Sequence, residues 1–351
     1  MDAPRIGVLV PCRNEEAVIE RRLRNLALAV WPPATGPHRL VVVDDGSGDR
    51  TAERARALCA TLFGDGVRAE VVRNAQRPGK PGAIAQALLE LEGSVDLLVL
   101  TDADVVFEPA ALERVAAAFA REPGPAMATG EQRFVAGLAE DGSCRGPGGA
   151  ALADAGGVYD GWTARVRRLE SRRGALFSVH GQLLAWRAAL GLRPTPGIAA
   201  DDLDLMLQAR AGGGRVVQVR GARFLEVRAP AGAERRAQAL RRARAYVQFL
   251  GHPRIAELCS TGSALRRWQA TLYRRVPTAA PWWVAEFVLV SLLVAAGFGG
   301  VPSAGVLALL WIAVGISPAG RRAVALMRVI AGAVRSEARE DLGDRWETAR
   351  R

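Results

Sequence analysis

The chain is 351 residues long and 50% hydrophobic, enough to bury a sizeable core in two or three domains, or in one large domain with an appendage. A formal net charge of +11 and a pI of about 10.8 invite a nucleic acid or an anionic lipid as partner. Yet 46 of the 47 basic residues are arginine, which with the abundant Ala and Gly reads as a high-GC coding bias; aromatics are only 6% and no basic run is interleaved with them, so nucleic-acid binding is set aside.

Strand and helix alternate over the first 110 residues. Ile6–Val10 reads as a strand, too brief for the apolar core of a secretory leader. Glu15–Ala29 has helical spacing of apolar residues, and Leu40–Val43 is a second strand ending in Asp44-Asp45-Gly46-Ser47. Thr51–Leu62 is a helix with Asp49 as N-cap, Glu70–Arg73 a strand, Gly82–Glu92 a helix, Val95–Leu100 a strand and Pro109–Arg121 a helix. The β-α-β-α order with continuous apolar strands predicts a Rossmann-like α/β fold, a mostly parallel sheet with helices on both faces. No G-x-G-x-x-G follows the first strand.

Ala126–Val135 adds a strand. Gly137–Gly161, rich in Gly, Ala and Asp, reads as a mobile loop or a weak helix, and Arg165–Phe177 as helical. Gln182–Trp186 is a strand, and Asp201–Gly212 a helix whose three early acids favour its N-terminal dipole. Val216–Val219 and Arg223–Val227 are closing strands, followed by an Arg-rich helix over Glu234–Leu250. Beyond residue 276 the composition turns apolar: Trp282–Phe298, broken only by Glu286, and Val301–Ser317 are each 17 residues, the short end for a bilayer span. Gly299-Gly300-Val301-Pro302 separates them, and Arg266, Arg267, Arg274, Arg275 and Arg321, Arg322, Arg328 flank the outer ends. The positive-inside rule puts both ends in the cytoplasm. A hairpin in a soluble domain, or one lying in the membrane surface, would carry the same pattern. Residues 336–351 form a charged tail.

The chemistry concentrates in five short motifs. Asp102-Ala103-Asp104 follows the strand Val95–Leu100; carboxylates at i and i+2 on extended backbone share a side, at the strand end where open α/β sheets bind ligands. Such a pair repels itself unless a cation intervenes, and oxygen-only ligation suits Mg²⁺ or Mn²⁺. Lys80, the one lysine, sits in Gly79-Lys80-Pro81-Gly82, where a compact ammonium suits a phosphate or an acidic partner. Pro11-Cys12-Arg13-Asn14-Glu15-Glu16, Asp44-Asp45-Gly46-Ser47 and Asp201-Asp202-Leu203-Asp204-Leu205 complete the set. Cys12, Cys59, Cys144 and Cys259 fit no zinc, redox or disulfide spacing, which points to a reduced compartment, and Cys12 reads as a small core residue. His38 and His252 lack metal-like spacing.

In order and place these motifs resemble the family 2 glycosyltransferases, inverting enzymes of the glycosyltransferase-A fold, over roughly residues 5–250. The resemblance implies a catalytic domain at 1–250, with a nucleotide-binding half at 1–125 and an acceptor-side half at 126–250, followed by helices and the apolar hairpin at 251–335. It implies a UDP- or GDP-linked sugar donor and a divalent metal, Mg²⁺ or Mn²⁺. Pro11 and Glu15 match the base and ribose pocket, Asp44 and Asp45 the nucleoside contacts, and Lys80 the donor site. Asp102 and Asp104 match the metal and nucleotide motif, Asp104 foremost as direct ligand. Asp202 matches the catalytic base, with Asp201 where Glu is commoner. Gly181 and Arg187 match a glycine and a basic element on the acceptor side, and His180, next to Gly181, reads either as lining that site or as a satisfied structural histidine. Gln238, Arg241 and Arg242 match a Gln-x-x-Arg-Trp element in which arginine replaces the tryptophan that stacks on a growing glycan, so processive synthesis is not implied.

The expected reaction is an in-line displacement with Asp202 as general base, unless the acceptor is already anionic. The hairpin suggests a lipid, lipid-linked or envelope-glycan acceptor at the cell membrane, with the catalytic domain cytoplasmic. A sugar-nucleotide-forming nucleotidyltransferase would show a Gly-rich basic loop after the first strand, and a non-catalytic scaffold would have no reason to keep both Asp104 and Asp202.

Overall fold

The computed structural model describes residues 4–146, 149–230 and 232–337. Within them the chain divides into two compact units, one on residues 4–229 and 260–262 and the other on 230–259 and 263–337. The tail expected at 336–351 lies almost wholly outside the described residues.

The first unit is built on an eight-stranded sheet of order β3-β2-β1-β4-β7-β6-β8-β5. Its strands are β1 (Ile6–Cys12), β2 (His38–Asp44), β3 (Val67–Arg73), β4 (Leu97–Leu100), β5 (Val106–Phe107), β6 (Met127–Val135), β7 (Leu184–Arg187) and β8 (Val216–Val227). β1 is buried along its whole length, as continuous apolar runs between two helical layers require. Its even-numbered side chains join one cluster with Ile19, Leu23 and Leu26 of α1 (Ile19–Leu28), Ala55 and Cys59 of α2 (Thr51–Leu62), and Leu112 and Val115 of α4 (Ala111–Phe119). At Gly7 the opposite face of the strand meets Leu91 and Val95, and there α3 (Lys80–Glu90) packs on β1 and β2.

The first four strands are parallel, and their carboxyl ends align: Cys12 pairs with Asp44, Asp44 with Arg73, and Leu9 with Leu100. The sheet then becomes mixed. β7 runs antiparallel to both β4 and β6, with Leu184 opposite Leu100 and Arg187 opposite Leu97. The residues before β7 therefore lie at the same end of the sheet as the residues after β4. β8 is one strand where two were expected; it pairs with β6 through a bulge, Thr129 opposite Gln218 and Glu131 opposite Arg223, with Gly221 at φ 78° taking up the bend. Gly130 faces that bulge.

Other boundaries move. α1 starts at Ile19 because Glu15–Val18 form turns tied to the β2–α2 loop. The described residues between 137 and 156 are irregular, with bridges at Val135–Asp154 and Arg145–Ala151, and α5 (Val158–Arg172) begins and ends earlier than the helix read at Arg165–Phe177. α6 (Asp201–Ala211) follows β7.

The second unit is helical: α7 (Ala233–Gly251), α8 (Pro253–Ser260), α9 (Ala264–Ile316) and α10 (Pro318–Glu337). α7 belongs to this second unit and packs on α10. α9 turns back at Gly300, whose φ of 69° and ψ of −174° no L-residue in a helix adopts. Trp311 Nε1 donates to Ser291 Oγ at 3.1 Å and its ring meets Phe287 edge-on, so the two limbs form the expected helical hairpin. The first limb, Ala264–Phe298, contains an 18-residue stretch of mean hydropathy 1.8 and is long and apolar enough to cross a membrane; the second, Gly300–Ile316, is shorter.

A Cβ on Gly130 would collide with the Leu183 side chain and lie 2.7 Å from the Ala222 carbonyl oxygen. Gly130→Ala should therefore lower stability by about 1–3 kcal/mol, seen as an earlier urea midpoint; an unchanged midpoint would mean that the bulge opens freely.

Candidate active site

The loops after β1 and β2 are laced together by side chains that accept backbone N–H groups. Asn14, at φ 53°, receives Gly48 N–H on its Oδ1 at 2.8 Å and donates its own N–H to Ser47 Oγ at 3.0 Å. Glu15 N–H donates to Thr51 Oγ1 at 2.8 Å and Glu16 N–H to Asp49 Oδ2 at 3.2 Å, so Asp49 serves both the start of α2 and the neighbouring loop. Pro11 is buried in β1 opposite Val43, and Glu15 is half-buried beyond the strand end. Cys12 donates its thiol to the Val43 carbonyl, and burial, aided by nearby carboxylates, pushes its pKa well up, which keeps it a neutral core residue.

Asp44 accepts Ser47 N–H at 3.2 Å, closing a tight turn. Asp45 reaches to the next loop instead: its carboxylate accepts Gly79 N–H at 2.8 Å and Asn74 Nδ2 at 2.6 Å, with Arg13 Nη1 at 3.7 Å. Gly79 has φ 114°, and a Cβ on Gly82 would collide with the Arg77 carbonyl. Both glycines of Gly79-Lys80-Pro81-Gly82 are thus required for the tight entry into α3 that presents Lys80.

Lys80 is the centre of the site. Its Nζ lies 2.8 Å from Asp102 Oδ1 and 3.8 Å from Asp201 Oδ2. Burial works to lower its pKa, but the charges of Asp102, Asp201 and Asp202 and the bond to Asp102 outweigh it, and the ammonium is held protonated. Asp201 is pushed up to about 7, by burial first and then by the neighbouring carboxylates, against the pull of Lys80. Asp202 is raised by burial too; Lys80 and two N–H groups oppose the shift, Leu203 at 2.9 Å and Gly181 at 3.2 Å. A Cβ on Gly181 would sit 3.4 Å from that of Asp202, so the glycine leaves room for the carboxylate. Asp204 turns away and caps the loop at Thr195, whose N–H it accepts at 2.7 Å.

Asp102 and Asp104 are half-buried while Ala103 between them is buried, in a turn rather than on the extended backbone that was expected. No group of three or more His, Cys, Asp or Glu suited to a metal occurs among the described residues. Two carboxylates are nonetheless a fitting donor set for Mg²⁺ or Mn²⁺, which commonly take one or two carboxylates and complete their shell with phosphate and water.

Not every expected residue joins the cluster. Arg187 is corrected: its antiparallel strand carries it to the opposite end of β4, where its Nη2 and Nε donate to the carbonyls of Phe119 and Pro125 and fasten the α4–β6 connection. The His180 ring is buried edge-on to Phe224, while its backbone is held by Thr129. Gln238, Arg241 and Arg242 lie on α7 in the second unit. His38 is structural: its Nδ1 accepts Ile6 N–H, its Nε2 faces the Pro32 carbonyl, and burial lowers its pKa. Sequence reasoning missed Arg22, Thr101 and Asn74. A signal existed for Arg22, a charge on the Ile19, Leu23, Leu26 stripe of α1.

A family model described as glycosyltransferase-like family 2 matches residues 4–245. The chain belongs to the family 2 glycosyltransferases. Beta-monoglucosyldiacylglycerol synthases of Trichormus variabilis and of Nostoc sp. are each 31% identical to it over 121 residues, 34% of this chain and 24% of theirs. The match thus takes in about a quarter of the length of those relatives. The structure of the mannosyltransferase PcManGT from Pyrobaculum calidifontis, in complex with GDP-Man and Mn²⁺, superposes with a TM-score of 0.72 at 23% identity, over 96% of this chain and 88% of that one. The first unit accordingly has the glycosyltransferase-A fold.

Asp201 titrates near 7 in the fold against 3.8 ordinarily, so its ionised form subtracts stability once the pH exceeds both values. Asp201→Asn, in EDTA, should melt above the wild type at about pH 8 and lose that gain at about pH 3, where the carboxyl is neutral in both states. A lower melting temperature at the higher pH would mean that the charge is held favourably by Lys80.

Proposed function

We propose that this glycosyltransferase moves a sugar, with inversion, from a UDP- or GDP-linked donor to a lipid, lipid-linked or glycan acceptor at a membrane. The observation that carries the reading is the convergence of Asp102, Asp201 and Asp202 on Lys80, because it brings the donor motif and the base motif into one electrostatic cluster. Pro11, Glu15, Asp44 and Asp45 form the nucleoside side, and Lys80 and Asp102 the diphosphate side. Asp104, with Asp102 beside it, is the metal ligand. Asp201 and Gly181 face the acceptor.

In the reaction the acceptor oxygen bonds to the anomeric carbon as the bond from that carbon to the diphosphate breaks, and the electron pair leaves with the nucleoside diphosphate. Asp202 takes the acceptor proton; the Gly181 and Leu203 N–H groups fix its orientation. Its raised pKa favours proton uptake, since a stronger base accepts more readily. Lys80 offsets charge developing on the leaving group. A bound Mg²⁺ or Mn²⁺ would supply further charge neutralisation there.

The membrane part of the reading rests on the hairpin and on charge. Residues 1–229 carry 29 basic and 28 acidic residues, whereas residues 230–351 carry 18 and 8. A coding bias explains arginine over lysine but not this partition; a basic segment around an apolar hairpin suits an anionic bilayer surface, where each arginine is worth about 1 kcal/mol. The diacylglycerol-directed relatives make a diacylglycerol-type lipid the first acceptor to try.

Nucleoside-diphosphate release from a panel of nucleotide sugars should appear with one donor and vanish in EDTA. Asp104→Ala should reduce it about 10²–10³-fold, and Asp202→Asn about 10²–10⁴-fold. Release surviving Asp202→Asn would indicate an anionic acceptor or another base. In membrane fractions the full chain should resist an alkaline carbonate wash; complete release would restrict the hairpin to the bilayer surface.

A further inference from the structure

Arg22 is fully buried on α1, where an unpaired guanidinium would be costly by several kcal/mol. Its hydrogen bonds go to the loop that carries the aspartate pair and to one neighbour. Nη2 donates to Thr101 Oγ1 at 2.7 Å, and Nη1 to the Val105 carbonyl at 3.2 Å and to Asn25 Oδ1 at 2.8 Å. The planar group lies 4.0 Å from the centre of the Phe107 ring. Thr101 and Val105 bracket Asp102, Ala103 and Asp104, so one guanidinium fastens both ends of that loop. Burial lowers the Arg22 pKa to about 9, with Asp102 and Asp104 opposing the shift, and the group stays cationic at neutral pH.

The connection continues across the sheet. The Thr101 hydroxyl, having accepted from Arg22, donates its own proton to the Gln182 carbonyl at 2.7 Å. Gln182 follows Gly181, whose N–H is held by Asp202. Thr129 fastens the same turn from β6, donating to the Leu183 carbonyl at 3.1 Å.

We propose that Arg22 is a positioning residue for the transfer: an internal cation that, through the Thr101 hydroxyl, holds the Asp102–Asp104 loop and the Gly181–Asp202 turn in one fixed relation. The proposal rests on the functional reading above for its consequence in catalysis, but the coupling itself is independent of it.

Hydrogen–deuterium exchange on the full chain in detergent separates the two. Arg22→Met should speed exchange in peptides spanning 100–106 and 180–184 together, and Thr101→Val should speed it at 180–184 while Thr101→Ser does not. With the active donor, Thr101→Val should lower kcat roughly five- to tenfold, with the donor KM nearly unchanged and Thr101→Ser close to wild type. If Thr101→Val and Thr101→Ser exchange alike at 180–184, or if Arg22→Met lowers only the melting temperature and leaves 180–184 protected, the proposal is overturned. Should Arg22→Met not fold, the threonine pair decides alone. Absence of turnover with every donor in the wild type would sink the functional reading and leave the exchange result to judge the coupling.

Discussion

Carboxylates collected below the protein surface repel one another, and the first unit holds Asp102, Asp201 and Asp202 together through the Lys80 ammonium. Lys80 bonds to Asp102 and attracts both aspartates at the start of α6, a hundred residues further along the chain. Much of the surrounding detail serves its placement. Gly79 and Gly82 allow the tight entry into α3, and Asp45 pins Gly79 from the end of β2. A lysine suits this place better than an arginine, because its charge is compact and can be shared among carboxylates at different angles.

A second cation works from the opposite side. Arg22 lies buried under the Asp102–Asp104 loop, and Lys80 reaches it from α3. The aspartate pair is thus bracketed by positive charge from two helices, which lowers the electrostatic cost of keeping the loop formed. The helices that carry these cations pack into the core around β1, a strand buried along its whole length.

The topology explains how distant motifs meet. Parallel strands bring the ends of β1, β2 and β4 to one edge, which is the general rule for ligand sites in open α/β sheets. The antiparallel β7 then delivers the residues that precede it, His180 to Leu183, to that same edge, and carries Arg187 away from it. An antiparallel strand reverses which of its ends is functional. The glycine therefore reaches Asp202 while the arginine, only six residues later, fastens carbonyls on the far side.

The α/β alternation, the parallel first half of the sheet, the hairpin and the motifs at strand ends were legible in the sequence, because continuous apolar strands, helical periodicity and turn residues are local signals. Lysine 80 stood out against forty-six arginines before any fold was known. The start of α1 and the unity of β8 did not follow, since side chains of a neighbouring loop set the first and a bulge opposite Gly130 the second. Nor did the direction of β7, the ammonium shared among carboxylates of separate motifs, or the passage from Arg22 through Thr101 to Gln182. Each depends on which strands lie side by side, and hydrogen bonds and charges between segments so far apart in the chain leave no periodic trace in it. Residue types and their spacing determined which chemistry this protein can hold; strand order and direction decided which of those residues act together.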